Sequence, residues 1–243
     1  MIITTQVTED YYNKCNDLFS SLKANFDGKV KIGCIGFKPI NCPFDWYYIP
    51  PIDLIYDNYT CLTRNKYVCL QHGEFIKYMN IVNDEPILNI DADVIIQSKL
   101  EHLYPKDNQI LVSQCTFPIR TLLESSTNPR LKANTNRLKE LYDLSNNEFS
   151  AAVICATPQS WDKYNLAFKD NFHNLKLLDH HAAGMFIMNC IAYSNFEVTF
   201  MNNHWHNADW FIGSPVYLKD GWLYYENKKV QIIHTKFNGV WKY

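Results

Sequence analysis

The chain has 243 residues, 47% of them hydrophobic, which is enough apolar material for one large domain. Its 23 basic and 25 acidic side chains give a formal net charge of -2, so a polyanion-binding surface is not expected and nucleic acid is an unlikely partner. The first residues lack the pattern of a signal peptide, and no segment approaches the roughly 18 apolar residues of a membrane-spanning helix, so we expect a soluble, cytoplasmic protein.

Eight cysteines are scattered along the chain without a Cys-x-x-Cys pair. Several of them lie inside apolar runs, such as the one that contains Cys34. This pattern predicts buried, reduced thiols and not the disulfide framework of a small secreted domain.

The beginning of the chain predicts the β-α-β unit with which many parallel sheets start. The residues at 2–5 predict a short strand, and apolar residues at helical spacing predict a helix over 9–23. The run over 29–37 is apolar enough for a central strand. This order of elements favours a parallel sheet flanked by helices.

Four prolines between positions 39 and 51 interrupt regular structure. The aromatic run over 44–48 should therefore lie on a loop or a short edge strand. A helix over 73–82 is expected to lead into a strongly apolar strand over 87–96.

Beyond this strand, two more strands and three helices are predicted before a region of short strands. The strands cover 109–115 and 149–156, and the helices cover 131–142, 161–171 and 179–193. From Phe196 onward apolar and polar residues alternate in short strands, the last of which ends in His234. Together these elements predict one α/β domain with a mixed, mainly parallel, Rossmann-like sheet flanked by helices.

The strand over 87–96 is unusual because Asp91 and Asp93 interrupt its apolar residues with only Ala92 between them. Ionised carboxylates in an apolar interior require a cationic partner. Aspartates at i and i+2 reach one ion either from an extended chain or from a turn, and their oxygens suit Mg²⁺ or Mn²⁺. A strand that merely ends in a polar turn is the alternative, and the tripeptide alone does not decide between them.

A second polar feature is the tail, where an apolar strand ends in His234 and a glycine and lysines follow. A histidine at the end of a strand is suited to be a third metal ligand. The glycine would let the backbone approach a phosphate, and a lysine would neutralise it. A hydrogen-bonded structural histidine and a solvated C-terminal lysine are the alternatives.

Four motifs follow one another along nearly the whole chain. The first is the Asp91-Ala92-Asp93 turn, and the second is the run over 148–154, which is followed by Trp161. The third is the Leu178-Asp179-His180-His181 segment, and the fourth covers 234–242. Their order and spacing resemble those of GT-A fold glycosyltransferases, in particular the glycogenin-like and lipopolysaccharide galactosyltransferase-like enzymes. The matching family motifs are Asp-x-Asp, Phe-Asn-Ala-Gly-Val, Asp-Gln-Asp and His-x-x-Gly-x-x-Lys.

The resemblance implies a hexosyltransferase that moves a sugar from a nucleoside-diphosphate sugar, a UDP-sugar, to a glycan, protein or small-molecule acceptor with retention. It implies that Asp91, Asp93 and His234 bind Mn²⁺ or Mg²⁺, which stabilises the diphosphate leaving group. Gly239 and Lys242 are implied to contact the phosphates, although two extra residues separate His234 from Gly239.

The resemblance also implies two catalytic residues. Asp179 would be the carboxylate beside the sugar, and His180 would lie near the anomeric carbon. His180 or His181 would act as a general base if the enzyme inverts configuration. Asp179 is equally suited to cap the helix that follows it. The sequence departs from the family pattern here, because Ser150 replaces Asn, Ala152 replaces Gly and His180 replaces Gln.

The nucleotide is expected over the carboxyl end of the first strand. The part of the domain at about 1–115 would then bind the nucleotide, and the part at about 116–243 would bind the acceptor. The candidate contacts to the nucleotide-sugar are Thr4, Thr5, Tyr11, Gln71 and Ala92. Ordinary strand-end and helix roles are the alternative for each of them.

Other functions compete with sugar transfer. His204 and His206, with an aspartate nearby, form a candidate zinc site, but no further zinc-binding motif accompanies them. Stacking of Trp205 and Trp210 on a sugar is favoured over zinc, and a plain core role for either tryptophan is its equal alternative. A metal-dependent nucleotidyltransferase or hydrolase would use the two aspartates on phosphate. Thr4 to Thr8 has no glycine or basic residue, which disfavours a nucleotidyltransferase. A non-catalytic sugar-binding protein on the same fold is the third alternative.

Overall fold

The computed structural model describes residues 1–50, 76–79, 81, 84–119, 124, 129–171, 183–201, 206–208 and 216–234. Within these ranges the chain forms thirteen strands: β1 (Ile2–Val7), β2 (Lys29–Ile35), β3 (Asp45–Ile49), β4 (Ile87–Ile90), β5 (Val94–Ile96), β6 (Gln109–Pro118), β7 (Asn147–Ala156), β8 (Glu197–Phe200), β9 (His206–Ala208), β10 (Val216–Lys219), β11 (Trp222–Tyr225), β12 (Lys228–Lys229) and β13 (Ile232–His234). The α-helices in the same ranges are α1 (Glu9–Tyr12), α2 (Asn16–Asn25), α3 (Pro129–Leu141), α4 (Pro158–Asn171) and α5 (Ala183–Asn195).

Seven strands form a mixed sheet in the order β3-β2-β1-β4-β7-β6-β8. The first four of these run parallel to one another, β7 runs antiparallel to β4 and β6, and β8 runs parallel to β6. The predicted α/β class with a mixed, mainly parallel sheet is confirmed. The aromatic run over 44–48 lies mostly on β3, an edge strand of this sheet, as one of its two predicted placements had it.

Two hydrophobic cores lie on opposite faces of the sheet. Side chains alternate along β4, so that Ile87 packs in one core and Leu88 packs in the other. The first core contains residues of α4 and α5, and the indole Nε1 of Trp161 donates a hydrogen bond to the carbonyl oxygen of Ile87 at 3.2 Å. The second core contains Leu18 and Leu22 of α2. The helices therefore flank the sheet as predicted.

Two smaller sheets follow the large one. β5, β13 and β9 form one of them, in which β13 runs antiparallel to β5 and parallel to β9. β10, β11 and β12 form an antiparallel meander. The side chain of Gln97 joins the two small sheets, because its Nε2 donates to the carbonyl oxygens of Leu223 and Val230 and its Oε1 accepts from the Leu223 N–H.

The helix predicted over 9–23 is wrong as a single element. The chain turns at 13–15 between α1 and α2, and this turn brings the Cys15 Sγ within 3.2 Å of the carbonyl oxygen of Tyr11 and 3.7 Å of that of Ala92. The apolar spacing is continuous across both helices, so periodicity does not reveal a break that tertiary contacts create.

The single strand predicted over 87–96 is also wrong, because it divides at the two aspartates into β4 and β5, which belong to different sheets. Smaller corrections apply at element ends. β2 ends at Ile35, before Gly36 adopts a positive φ of 76°. α4 begins at Pro158, three residues early, and Thr157 Oγ1 accepts the Ser160 N–H at its start.

The remaining predicted elements agree with the described residues or lie partly outside them. α3, β6 and β7 lie where they were predicted, and short strands follow Phe196. Of the helix predicted over 73–82, the described part contains a 3₁₀ segment at Lys77–Met79. The predicted start of α5 at 179–182 lies outside the described residues.

The cysteines of the described part are free thiols, and Cys15, Cys34, Cys155 and Cys190 are buried. The prediction of buried reduced thiols is confirmed for these four, while Cys42 is only partly buried. None of the helices in the described ranges is long and apolar enough to cross a membrane.

Candidate metal centre

Asp91, Ala92 and Asp93 form the turn that follows β4 and precedes β5. β4 lies between β1 and β7, so this turn is at the carboxyl end of a central strand. The backbone N–H of Asp91 donates to the carbonyl oxygen of Ala152 in β7 at 2.9 Å. The contact between Cys15 Sγ and the Ala92 carbonyl holds the turn from the side of α2. Both flanking strands are buried, which fixes the position of the two carboxylates.

His234 reaches the same turn from the other end of the chain. It is the last residue of β13, whose antiparallel register with β5 places His234 opposite Val94. Its Nε2 lies 3.1 Å from Oδ1 of Asp93. One ligand atom from each of Asp91, Asp93 and His234 lies within 4.8 Å of the others. The three predicted metal ligands are thus brought together.

The electrostatics of this cluster favour a cation. Burial and, to a smaller extent, the nearby Asp93 carboxylate raise the pKa of Asp91 to about 6, and His234 opposes both effects. Two carboxylates that share a partly buried site repel each other, and a divalent cation would relieve that repulsion. Two carboxylate oxygens and one imidazole nitrogen form a donor set that Mn²⁺ accepts, and Mg²⁺ accepts the oxygens. The residues therefore fit a divalent cation.

The predicted nucleotide contacts on the first strand are buried. Thr4 and Thr5 are fully enclosed, and the Thr4 hydroxyl donates to Oδ1 of Asn89 at 3.0 Å. Gln6 Nε2 donates to the same oxygen at 2.6 Å. Tyr11 lies just beyond the carboxyl end of β1 and is half-exposed at 49%, with the Lys14 ammonium 5.5 Å from its ring centroid. The roles of Thr4, Thr5 and Tyr11 toward a nucleotide stay predictions.

Several predicted site residues lie outside the described residues. They are Gln71, Asp179, His180, His204, Gly239 and Lys242. The backbone of His206 belongs to β9, where Ala208 pairs with His234, so the described part of this segment runs beside β13.

Sequence reasoning missed Asn89, which connects β1 and β4 directly below the metal ligands. A polar residue in the otherwise apolar run Ile87–Ile90 is the signal that could have found it. It also missed the polar environment on β7, because Glu148 follows two asparagines and resembles the end of a loop, although it is buried in the structure.

A Rossmann-like mixed sheet whose central strand ends in an Asp-x-Asp turn is the architecture of the GT-A glycosyltransferases, and solved structures of that type share it with this chain. An active-site mutant of LgtC matches with a TM-score of 0.58 and 12% sequence identity, covering 96% of this chain and 86% of that one. The galactosyltransferase LgtC in complex with donor and acceptor sugar analogs matches with a TM-score of 0.56 at 13% identity and the same coverage. The bifunctional glycosyltransferase WbbM, in its apo form, matches with a TM-score of 0.57 at 14% identity, covering 96% of this chain and 45% of that one.

No protein-family model and no curated protein sequence matches the chain. The GT-A fold that the motif order predicted is confirmed by these structural likenesses. At 12 to 14% identity they establish the fold, and the chemistry has to be argued from the residues of this chain.

Proposed function

We propose that this protein is a divalent-metal-dependent glycosyltransferase that moves a sugar from a UDP-sugar to a hydroxylated acceptor. The observation that carries the proposal is the convergence of Asp91, Asp93 and His234, whose ligand atoms lie within 4.8 Å of one another at the carboxyl end of a central strand. In open α/β sheets this is where nucleotides and phosphates bind. A structural cation could bind anywhere in the fold, whereas a cation that holds a diphosphate is expected at this end of the sheet.

In this reaction the site would stabilise a diphosphate leaving group. A bound Mn²⁺ or Mg²⁺ would supply Lewis-acid stabilisation of the charge that develops on the diphosphate. Asp91 and Asp93 would hold that cation with oxygen ligands, and His234 would fix its position from β13. The Ala152 hydrogen bond and the Cys15 contact keep the turn in place and limit its reorganisation.

The rest of the substrate would lie on both sides of this centre. The nucleotide-binding part would be at about 1–115, with Tyr11 stacked on the base and Thr4, Thr5, Gln71 and Ala92 near the nucleotide-sugar. Its position is supported by Tyr11, which lies exposed beyond the end of β1. The acceptor-binding part would be at about 116–243. The LgtC structure with donor and acceptor sugar analogs supports two substrates on this fold.

The bond-breaking groups proposed from the family resemblance are Asp179 and His180, with Gly239 and Lys242 on the phosphates. An oxocarbenium-like transition state is stabilised by a nearby carboxylate, which is the role proposed for Asp179. We propose transfer with retention. Anomeric analysis of the first-formed product by NMR tests this, and an inverted product would contradict it.

The test of the proposed function is hydrolysis of a panel of UDP-sugars, because transferases slowly pass sugar to water. We expect turnover with Mn²⁺ or Mg²⁺ that disappears with chelator and in Asp93→Asn. Asp107→Asn is the matched control, since Asp107 is an exposed aspartate in the turn before β6, at the opposite end of the sheet. Its turnover should equal that of the unaltered chain.

Three outcomes would favour the alternatives. Phosphate release from nucleotides without a sugar would indicate a phosphate-processing enzyme. Sugar binding without Mn²⁺-dependent UDP binding, measured by calorimetry, would indicate a non-catalytic sugar-binding protein. Stoichiometric zinc that is lost in His204→Ala would indicate the rival metal site.

A further inference from the structure

The first half of β7 continues beyond the end of β4, into the region of the metal ligands. In the antiparallel register Val153 lies opposite Ile90, the last residue of β4, and Ala152 bonds to the N–H of Asp91. The residues of β7 before Ala152 therefore extend past the carboxyl end of β4. They form a wall beside the Asp91–Asp93 turn.

Three polar side chains of this wall lie on one face. Glu148 and Ser150 are two residues apart on β7 and so point to the same side, and Ser113 of β6 is the cross-strand partner of Ser150. We call Glu148, Ser150 and Ser113 the polar strip. Phe149, between them, points to the opposite side, where its ring lies against Tyr193 of α5. The polar strip therefore faces away from α5.

The polar strip contains buried hydrogen-bonding atoms that the described part of the chain leaves without partners. Glu148 and Ser113 are each only 4% exposed, and neither Oε1 of Glu148 nor Oγ of Ser113 has a hydrogen-bond partner among the described residues. Ser150 is also buried, and its hydroxyl accepts the N–H of Ala152 at 3.2 Å. Buried polar atoms in native proteins nearly always have partners, because an unpaired one destabilises the fold.

The backbone beside the polar strip is held by hydrogen bonds from α5. The Asn189 side chain of α5 accepts the N–H of Phe149 at 2.7 Å and donates to its carbonyl oxygen at 3.1 Å. This double hydrogen bond holds the backbone next to Glu148. Two polar atoms that have no partner among the described residues, beside a backbone that is held by hydrogen bonds, are available to an external partner.

The position of the polar strip relative to the metal ligands suits a sugar. Ser150 and Glu148 precede Ala152 by two and four residues, which is at most about 7 and 13 Å along the strand, and less where the register of β7 with β6 shifts between Val112 and Ser113. A diphosphate held by Asp91, Asp93 and His234 would leave its attached sugar, or the acceptor that meets it, within this range.

We propose that the polar strip binds hydroxyl groups of a pyranose sugar and that Glu148 is a specificity-determining residue of the site. This inference rests on the proposed glycosyltransferase function. A carboxyl group and two serine hydroxyls offer both donors and acceptors, which is what sugar hydroxyls require. A site built to hydrogen-bond a hydroxyl also discriminates strongly against a sugar that lacks it.

The protonation state of Glu148 is consistent with this role. Burial raises its pKa to about 7, so near neutral pH the carboxyl is partly uncharged. An uncharged carboxyl donates one hydrogen bond and accepts others, and it does not add a third negative charge beside a diphosphate.

Calorimetry with Mn²⁺ tests the inference on Glu148→Leu and Ser113→Ala. The probes are UDP, UDP-glucose and UDP-galactose, followed by transfer kinetics with methyl glycosides of the common hexoses as acceptors. Ser160→Ala is the control, because Ser160 is an equally buried serine whose hydroxyl already has partners at the start of α4. Melting temperatures are measured for every variant.

We expect both polar-strip variants to bind UDP as the unaltered chain does. Either their affinity for the UDP-hexose or their kcat/KM for the glycoside should fall about tenfold, which is the effect of one lost hydrogen bond. A lower affinity for the UDP-hexose alone assigns the polar strip to the donor sugar. A higher KM for the glycoside with unchanged donor affinity assigns it to the acceptor. Glu148→Leu should also melt at a higher temperature than the unaltered chain, which a purely structural role would not produce.

Identical behaviour of the variants and the unaltered chain across the whole panel overturns the inference, provided that UDP binds. Loss of UDP affinity in the two variants but not in Ser160→Ala also overturns it, because the side chains would then support the nucleotide. Failure of the unaltered chain to bind UDP with Mn²⁺ contradicts the proposed function itself. The two failures are thus distinguishable.

Discussion

Two buried polar regions flank the candidate metal centre, and they differ in how their hydrogen bonds are used. At the junction of the small sheets, Gln97 is 3% exposed and makes three hydrogen bonds with the backbone of Leu223 and Val230. In the polar strip, Glu148 and Ser113 are equally buried, yet Oε1 and Oγ have no partner among the described residues. Burial alone therefore does not distinguish the two regions. They differ because the Gln97 side chain uses its hydrogen bonds within the chain, whereas Glu148 Oε1 and Ser113 Oγ do not use theirs within the described residues.

The hydrogen bonds of Gln97 help to position a metal ligand. The backbone N–H of Gln97 also donates to the carbonyl oxygen of Gln231 at 2.8 Å, one residue before β13 begins. Gln97 thus bonds through its side chain and its backbone to Val230 and Gln231, the two residues that precede β13, and β13 ends in His234. A metal ligand positioned in this way needs little reorganisation when a cation binds. The polar strip retains hydrogen-bonding capacity that the first region has used.

The largest effect is expected on metal binding, when His234 at the end of β13 is replaced. His234→Ala should weaken Mn²⁺ binding by about a hundredfold or more, because substitution of groups that only support metal ligands already costs 10- to 100-fold. Calorimetric titration with Mn²⁺ measures it. His102→Ala is the control, since His102 is exposed and contacts the N-terminal amine far from the site. Equal Mn²⁺ affinity in the two variants would show that His234 is not a metal ligand.

The next largest effect is on the free energy of unfolding when a polar residue of each region is replaced by leucine. Gln97→Leu should lower the free energy of unfolding by about 2 to 3 kcal/mol, because it leaves buried backbone groups of Leu223 and Val230 without partners. Glu148→Leu should not lower it, because Oε1 of Glu148 has no hydrogen-bond partner among the described residues to lose. Urea denaturation of both variants measures the difference. A similar loss of stability in both would show that the two regions do not differ in the way that their hydrogen bonds indicate.

A third effect concerns proton competition at the metal centre. Burial and the Asp93 carboxylate raise the pKa of Asp91 to about 6, and metal binding requires the deprotonated form. The affinity for Mn²⁺ should therefore be constant above this pH and fall by up to about tenfold per pH unit below it. Titrations between pH 5 and 8 in both the unaltered chain and His234→Ala measure this.

In His234→Ala the midpoint should move to higher pH, because His234 lowers the pKa of Asp91. A pH-independent affinity throughout this interval would mean that Asp91 does not coordinate the cation.

Part of the fold and of the site could be predicted from the sequence, and part could not. The buried strands β1, β2 and β4 were predictable because their apolar runs are local, and the Asp-x-Asp turn was predictable because charge in such a run demands a partner. The division of β4 from β5 was not, because it depends on the pairing of β5 with β13. That pairing joins residues more than a hundred positions apart, and no local pattern specifies its register.

The run over 148–154 was recognised as a motif, but the burial of Glu148 was beyond sequence reasoning for a similar reason. Glu148 follows Asn146 and Asn147 and has the local character of a loop residue. Its burial results from the antiparallel pairing of β7 with β6 and from the hydrogen bonds that Asn189 makes to Phe149. The functional interpretation of Asp91, Asp93 and His234 needed only motif order, whereas that of Glu148 needed the positions of two strands and a helix.

The smallest effect is the pH dependence of stability that Glu148 should create. Burial raises its pKa from 4.5 to about 7, so between these values the folded chain keeps a proton that the unfolded chain has released. The stabilising contribution of the protonated carboxyl is therefore complete below pH 4.5 and is lost as the pH rises through about 7. Glu148→Gln should flatten this decline and be more stable than the unaltered chain by about 1 kcal/mol at pH 8, since a buried amide costs less than a buried carboxylate.

Glu85→Gln gives the opposite sign and serves as the control for this last effect. A hydrogen bond from Lys29 holds the pKa of Glu85 below its usual value, so its contribution is present at neutral pH and is lost as the pH falls. Urea denaturation at pH 4 to 8 should show Glu148→Gln gaining stability at the alkaline end and Glu85→Gln losing it there. If Glu148→Gln follows the unaltered chain at every pH, its carboxyl is ionised at no cost, and the polar strip must then be open to water even without a sugar.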